Sequence, residues 1–200
     1  MNPLFTIGHS THELPRFLQL LGEHDIQEVA DVRSQPYSRH TPWFSRETLE
    51  RALKIEGIRH VFLGRELGAR RDERDCYIAG KVSYDRIAQA TAFRAGLARL
   101  QQDAATTRVA LMCAEKDPLD CHRTILVARH AAAFAQVFHI RADGTLEAHT
   151  ALEHRMRRLY GLFDSDLFLP PEAQLTEAYT RRGEEIAYVE EQQATPSSLL

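Results

Sequence analysis

Short apolar runs rich in β-formers alternate with segments of helical period along most of this chain. That alternation constrains the fold more than any other feature. Residues 4–7, 27–32, 58–63, 108–112 and 137–140 each read as a strand. Between them, Leu14, Phe17, Leu18 and Leu21 recur at helical spacing over residues 12–23, with Thr11 expected as the N-cap and Pro15 in the first turn. Ser45, Thr48 and Leu49 open a shorter helix that closes at Gly57. Ile87, Ala90, Phe93 and Leu97 mark one long helix over residues 83–102, and a last helix follows Cys121 into the alanine run to Ala135. Asp143-Gly144 is a turn, and residues 145–149 form a sixth, shorter strand. Strands that alternate with helices in this way predict an α/β fold: a single three-layer domain, Rossmann-like, with a mostly parallel sheet. That domain is expected over residues 1–160. Residues 161–200 read as a helical extension running from Pro170-Pro171-Glu172 to about Glu191, with a frayed tail over 195–200.

At 44% hydrophobic and 26% charged, 200 residues suffice for one buried core. A net charge of −3 gives no global pull toward nucleic acid, but the charge is uneven. Residues 31–74 carry ten Lys/Arg against seven Asp/Glu, so the middle of the chain is suited to meet an anion. Three cysteines without a secretory leader pattern point to the reducing cytoplasm, and no apolar run is long enough to span a bilayer.

Four of the strands end in polar or reactive clusters: Gly8-His9-Ser10, Asp31-Val32-Arg33-Ser34, Gly64-Arg65-Glu66-Leu67-Gly68, and Cys113 through Cys121-His122-Arg123. Open α/β sheets bind ligands outside the carboxyl ends of their strands, so these clusters are expected to meet around one site. Cys113 is a small buried hydrophobe, a nucleophile, half of a redox pair or a ligand. Ten positions separate Cys113 from Arg123, too many for the tight cradle of a thiol phosphatase. Cys113, Cys121 and His122 lack the short spacing of a zinc knuckle, so no metal set is expected. Asp117-Pro118 reads as N-cap and first helical residue, placing Cys121, His122 and Arg123 in the opening turns, where an anion is favoured and a thiol pKa falls. Cys121 is therefore expected to be the reactive cysteine and Cys113 the buried one.

His9 and Asp31 are candidate acid/base groups, and Cys113 and Cys121 candidate nucleophiles. Arg33, Ser34, Arg65, His122 and Arg123 are candidate anion contacts. Gly64 and Gly68 would let backbone approach a ligand. Tyr37 and Trp43 are candidate stacking residues, with packing the commoner fate of a loop aromatic. Arg33 lies in a loop containing Pro36 and Ser38, so its replacement is expected to leave the core intact.

Taken together, Thr6-Ile7-Gly8-His9-Ser10-Thr11, Asp31-Val32-Arg33-Ser34-Gln35-Pro36-Tyr37-Ser38, Leu63-Gly64-Arg65-Glu66-Leu67-Gly68 and Leu111-Met112-Cys113-Ala114-Glu115 through Cys121-His122-Arg123 resemble the domain of unknown function 488 family of small prokaryotic proteins. The resemblance covers roughly residues 4–150. It implies an α/β fold and a recurring polar site, and carries no reaction with it.

Two functions compete, beside a third reading in which the clusters form only the internal polar network of a scaffold. One is an enzyme acting on a small anionic substrate bearing a phosphate or nucleotide. The other is a non-catalytic module for nucleic acid or nucleotides, gripping with the same arginines and stacking on the aromatics. The mixture of His, Cys and Asp with arginine favours chemistry, because a pure phosphate grip needs only the basic groups. The sequence names neither a cofactor nor an oligomeric state.

Overall fold

A computed structural model describes residues 2–162 and 170–190. Its central sheet has six strands in the order β3-β2-β6-β1-β7-β8. These are β1 (Leu4–Gly8), β2 (Glu28–Asp31), β3 (Arg59–Phe62), β6 (Val109–Cys113), β7 (Val137–Ile140) and β8 (Leu146–Ala148). The first five run parallel, and β8 returns antiparallel to β7 through a turn at Gly144, whose φ is +94°. β4 (Tyr77–Ile78) and β5 (Lys81–Val82) form a separate hairpin. The expected α/β fold with a mostly parallel sheet is the observed one.

The core strands are buried on both faces, which is why they read as continuous apolar runs rather than alternating ones. Phe5, Ile7, Val29, Ala110 and Met112 face one side. There they pack on Phe17, Leu20 and Leu21 of α1 (Leu14–Glu23) and on Leu49 and Leu53 of α2 (Arg46–Ile55). Leu4, Ala30, Val109, Leu111 and Cys113 face the other side. They pack with Ile87 of α4 (Tyr84–Gln89), with Phe93 and Leu100 of α5 (Thr91–Thr106), and with Leu126 and Ala131. Each fully buried Leu or Phe contributes about 1.5–3 kcal/mol relative to exposure.

Several expected boundaries move. Thr11 does not cap α1; the cap position is Glu13, without a side-chain bond, because Pro15 sets the start two residues later. The single helix expected over residues 83–102 is two, broken at Ala90, whose ψ is 140°. The break aims α5 so that Gly96 lies against Glu66 and Leu67 of α3 (Gly64–Leu67), where a Cβ would come within 2.8 Å of both side chains. The long connection over residues 64–82 is structured by α3 and the hairpin. After Cys121 the chain forms a π-helical stretch, Arg123–Ala128, that passes into α6 (Arg129–Ala131) and stops short of Ala135.

Two helices complete the molecule, α7 (His149–Leu159) and α8 (Pro171–Ile186). Leu152 and Met156 of α7 pack with Ala178 and Tyr179 of α8 against Ile125. Beyond α8, the Tyr188 carbonyl accepts from the Val82 N–H of β5 at 2.9 Å. Glu191 and the expected tail over 195–200 lie outside the described residues. Among the described residues, no helix is long and apolar enough to cross a membrane.

Candidate functional site

The insertion of β6 between β1 and β2 assembles the site. Gly8 sits beside Cys113 in the β1–β6 register, Asp31 beside Met112 in β2–β6, and Asp31 beside Phe62 in β2–β3. All four strand-end clusters therefore emerge on one sheet edge, within a few residues of Cys113.

The edge is drawn tight by glycines. A Cβ on Gly8 would meet the Glu115 carbonyl oxygen at 1.8 Å, so only glycine lets the loop after β6 cross the end of β1. A Cβ on Gly64 would meet the Arg33 carbonyl at 2.0 Å, and one on Gly68 would meet Ser34 Oγ at 2.4 Å. Gly64 and Gly68 thus serve the packing of α3 on the loop after β2 rather than approach to a ligand.

Asp31 is fully buried and grips Arg33 through Nε at 2.9 Å and Nη2 at 2.6 Å, with the Arg33 N–H adding a third bond at 3.1 Å. Burial opposes its charge, but the Arg33 hydrogen bonds win and hold the carboxyl below its ordinary range. His9 donates through Nδ1 to the Ser10 carbonyl at 3.0 Å, leaving Nε2 to accept from Arg33 Nη1 at 3.2 Å. Burial first, then the Arg33 charge, lower its pKa to about 4, so His9 is neutral near pH 7. His9 and Asp31, expected as acid/base groups, both hold Arg33. Three of the guanidinium's five N–H groups are thereby committed and two are left. Since Arg33 is 5% exposed and neutralises a buried carboxylate, the expectation that it is dispensable for the core is overturned.

Arg33 lines a cavity of about 330 Å³ together with Ser34, Gln35, Tyr37 and Arg70. Cys113, Glu115, Asp120 and His122 line it as well, as do Tyr84 and Tyr188. Arg65 is exposed and lines an adjoining cavity of about 430 Å³ that shares Ser34, Gln35, Arg70 and Tyr188. The sequence reading did not single out Arg70. Its N–H donates to Ser34 Oγ at 2.9 Å, its Nη1 to Gln35 at 3.0 Å, and its guanidinium lies 4.5 Å from the Tyr188 ring centroid. The Arg-Arg pair following Gly68 was the available signal. Tyr188 carried none, since it reaches the site only through the packing of α8.

Arg123, expected in the anion clamp, is fully buried. Nη1 donates to the Glu115 carbonyl at 2.8 Å and Nη2 to that of Lys116 at 3.4 Å, so the guanidinium braces the loop over Gly8. Trp43, expected to stack, instead donates Nε1–H to the His12 carbonyl at 3.0 Å and packs with the α1–α2 core. Tyr37 is 62% exposed at the cavity and donates to Glu47 at 2.9 Å.

Asp117 caps only a short 3₁₀ turn, Pro118–Asp120, through its bond from Leu119 N–H. Cys121 follows with extended backbone, so it is not in the opening turns of a helix capped by Asp117. Instead its own carbonyl accepts from Ile125 N–H, and its sulfur accepts from Arg123 N–H at 3.3 Å. His122 donates Nε2–H to the Val32 carbonyl at 3.0 Å. Its Nδ1 faces the sulfurs of Cys113 at 3.7 Å and Cys121 at 3.9 Å. Burial opposes ionisation of Cys121, but the hydrogen bond from Cys113, the Arg123 charge and His122 take its pKa well below the ordinary range. That same bond, then burial, pushes the Cys113 thiol up. Acidity and access are thus divided: Cys121 is the acidic thiol, and Cys113 is the one that lines the cavity. Glu115 is pushed up, first by burial and then by the Cys121 charge. Asp120 is paired with Arg182.

A family model described as "Domain of unknown function DUF488" matches residues 13–130. Neither the curated proteins nor the solved structures give a match.

Proposed function

Because the chain belongs to the DUF488 family, whose description assigns no reaction, its function is read from the site, and we propose an enzyme acting on a small anionic substrate that bears a phosphate or a nucleotide. The observation that carries this reading is that one cavity is lined both by Arg33, Ser34 and Arg70 and by Cys113 and His122, which contact Cys121 behind the lining. About 330 Å³ is at the lower end of the range for small-molecule sites. Arg33 is fixed from behind by Asp31 and His9, so its two uncommitted N–H groups cost little entropy when they bind an oxyanion. The two acids in the lining do not oppose this, since Asp120 is neutralised by Arg182 and Glu115 lies against the thiols. A titratable cluster sharing a cavity with arginines is the arrangement chemistry needs; a binding module for nucleic acid would need only the arginines.

A thermal-shift screen of phosphate, pyrophosphate, nucleotides and short oligonucleotides tests the reading. The wild type is expected to be stabilised by a small anion. Arg70→Ala should melt like the wild type without ligand and lose that shift, because one charge-assisted contact is worth about 1.5–3 kcal/mol, or roughly ten- to a hundredfold in affinity. Stabilisation by oligonucleotides alone, with steep salt dependence, would favour the binding module instead. No response to any anion would remove the proposal.

A further inference from the structure

We propose that Cys113, Cys121 and His122 form a metal centre for zinc or a similar thiophilic divalent cation, with its open coordination position facing the cavity. This inference goes beyond the anion reading and rests on separate observations. The two sulfurs and His122 Nδ1 all lie within 4.8 Å of one another. Nδ1 is 3.7 Å from one sulfur and 3.9 Å from the other. Tetrahedral zinc with Zn–S near 2.3 Å and Zn–N near 2.05 Å requires S···N edges of about 3.6 Å. The two S···N edges therefore stand within a few tenths of an ångström of those such an ion demands.

The eight-residue gap between the cysteines hid this arrangement from a reading of spacing, because the fold closes it. β6 delivers Cys113, and the loop braced by Arg123 returns Cys121 to its side.

The surroundings suit a metal as well. His122 donates its other ring nitrogen to the Val32 carbonyl at 3.0 Å, which fixes the ring and leaves Nδ1 as the ligand atom. Cys121 Sγ accepts the Arg123 N–H at 3.3 Å, a bond that a metal-bound thiolate keeps. Charge also balances. A divalent cation with two thiolates is neutral, so the centre places no net charge of its own among these buried side chains. Of the three ligands, Cys113 and His122 line the cavity and Cys121 does not, so a fourth, open position is reached from the cavity. In this arrangement the cysteines are ligands, and the metal presents a Lewis-acidic face to whatever the arginines hold.

The test is titration of the chelator-treated full chain with cobalt(II) alone, followed by zinc(II) competition. One equivalent of cobalt per chain is expected, with thiolate-to-cobalt charge-transfer absorption and the intense d–d bands of a tetrahedral site, all displaced by zinc. Cys113→Ser and Cys121→Ser should each lose about half the charge-transfer intensity and at least tenfold in affinity. His122→Gln should lose affinity with the charge transfer per bound ion retained, and Cys76→Ser should match the wild type. Thermal melts of each metal-free variant confirm that it is folded. For a variant that does not fold, protection of Cys113 and Cys121 from alkylation by cobalt in the wild type gives the same reading. No cobalt binding by folded wild type, or a charge-transfer band undiminished by loss of either cysteine, would overturn the site. Anion binding by the metal-free protein is scored separately, so failure of the metal centre and failure of the anion cavity are distinguishable.

Discussion

Gly8 and Arg33 show how single residues set this site. An alanine methyl at position 8 would lie 1.8 Å from the Glu115 carbonyl oxygen and 3.1 Å from Arg123 Nη2. Backbone must move to admit it, so Gly8→Ala is expected to cost about 1–3 kcal/mol or more in urea denaturation. Arg33→Ala leaves Asp31 buried without its counter-ion and should cost about 3–5 kcal/mol. Arg70→Ala, on exposed backbone, should stay within about 0.5 kcal/mol of wild type. The contrast separates the arginine that builds the cavity from the one that projects over it. At this scale the sequence marked Gly8, His9, Asp31, Arg33 and Cys113 as belonging together. It did not reveal their division of labour, because an arginine that pairs with buried Asp31 and one that braces carbonyls beside Gly8 look the same in a string of letters. The cysteines add a further test. In metal-free protein, neutral alkylating reagents should modify Cys113, which borders the cavity, faster than Cys76, which lines neither this cavity nor the adjoining one. Peptide mapping after brief labelling would show equal rates if the cavity gave no access.

Among the elements, α1 offers a direct check of helix physics. Gly22 is exposed in its last turn, and a Cβ there meets nothing within 4 Å. Gly22→Ala is therefore expected to stabilise the protein by about 0.4–1 kcal/mol, seen as a higher melting midpoint. The central strands and α1 were legible because hydrophobic period is a local signal. The break at Ala90 was not, since neither Pro nor Gly marks it and its cause is the distant packing of Gly96 on α3. The position of β6 between β1 and β2 was equally invisible. Strand order depends on which apolar faces meet, and no single run records that.

For the molecule as a whole, a buried polar chain links the sheet to the C-terminal helix. Thr6 meets His139 at 2.8 Å, His139 meets His149 at 3.0 Å, and His149 meets the Tyr179 hydroxyl at 3.0 Å, which donates to Glu153 at 2.8 Å. Tyr179→Phe strands these partners and is expected to cost about 1–3 kcal/mol. Burial lowers the pKa of His139 and His149, as it does that of His9 to about 4. Unfolded histidines bind protons near pH 6.5 that these folded ones refuse. Their stabilising contribution is thus complete above pH 6.5 and is lost as pH falls through the folded value of each group, which for His9 is about 4. His122, raised mainly by Cys121 against its burial, is already protonated in both states below pH 6.5 and does not offset this. Melting temperature should therefore fall as pH drops from 6.5 toward 4. A flat profile there would mean that the histidines are solvated.

The central claim is that the cavity lined by Arg33, Ser34 and Arg70 and by Cys113 and His122 holds an oxyanion. Crystals of the full chain soaked in tungstate, a phosphate-sized oxyanion with a strong anomalous signal, locate that anion directly. The account predicts a peak within hydrogen-bond reach of Ser34 and of the Arg33 and Arg70 guanidinium groups, on the side of the cavity facing Cys113, and its disappearance in Arg70→Ala crystals. Tungstate found only at other surfaces, or an ordered peak unchanged by Arg70→Ala, would contradict it.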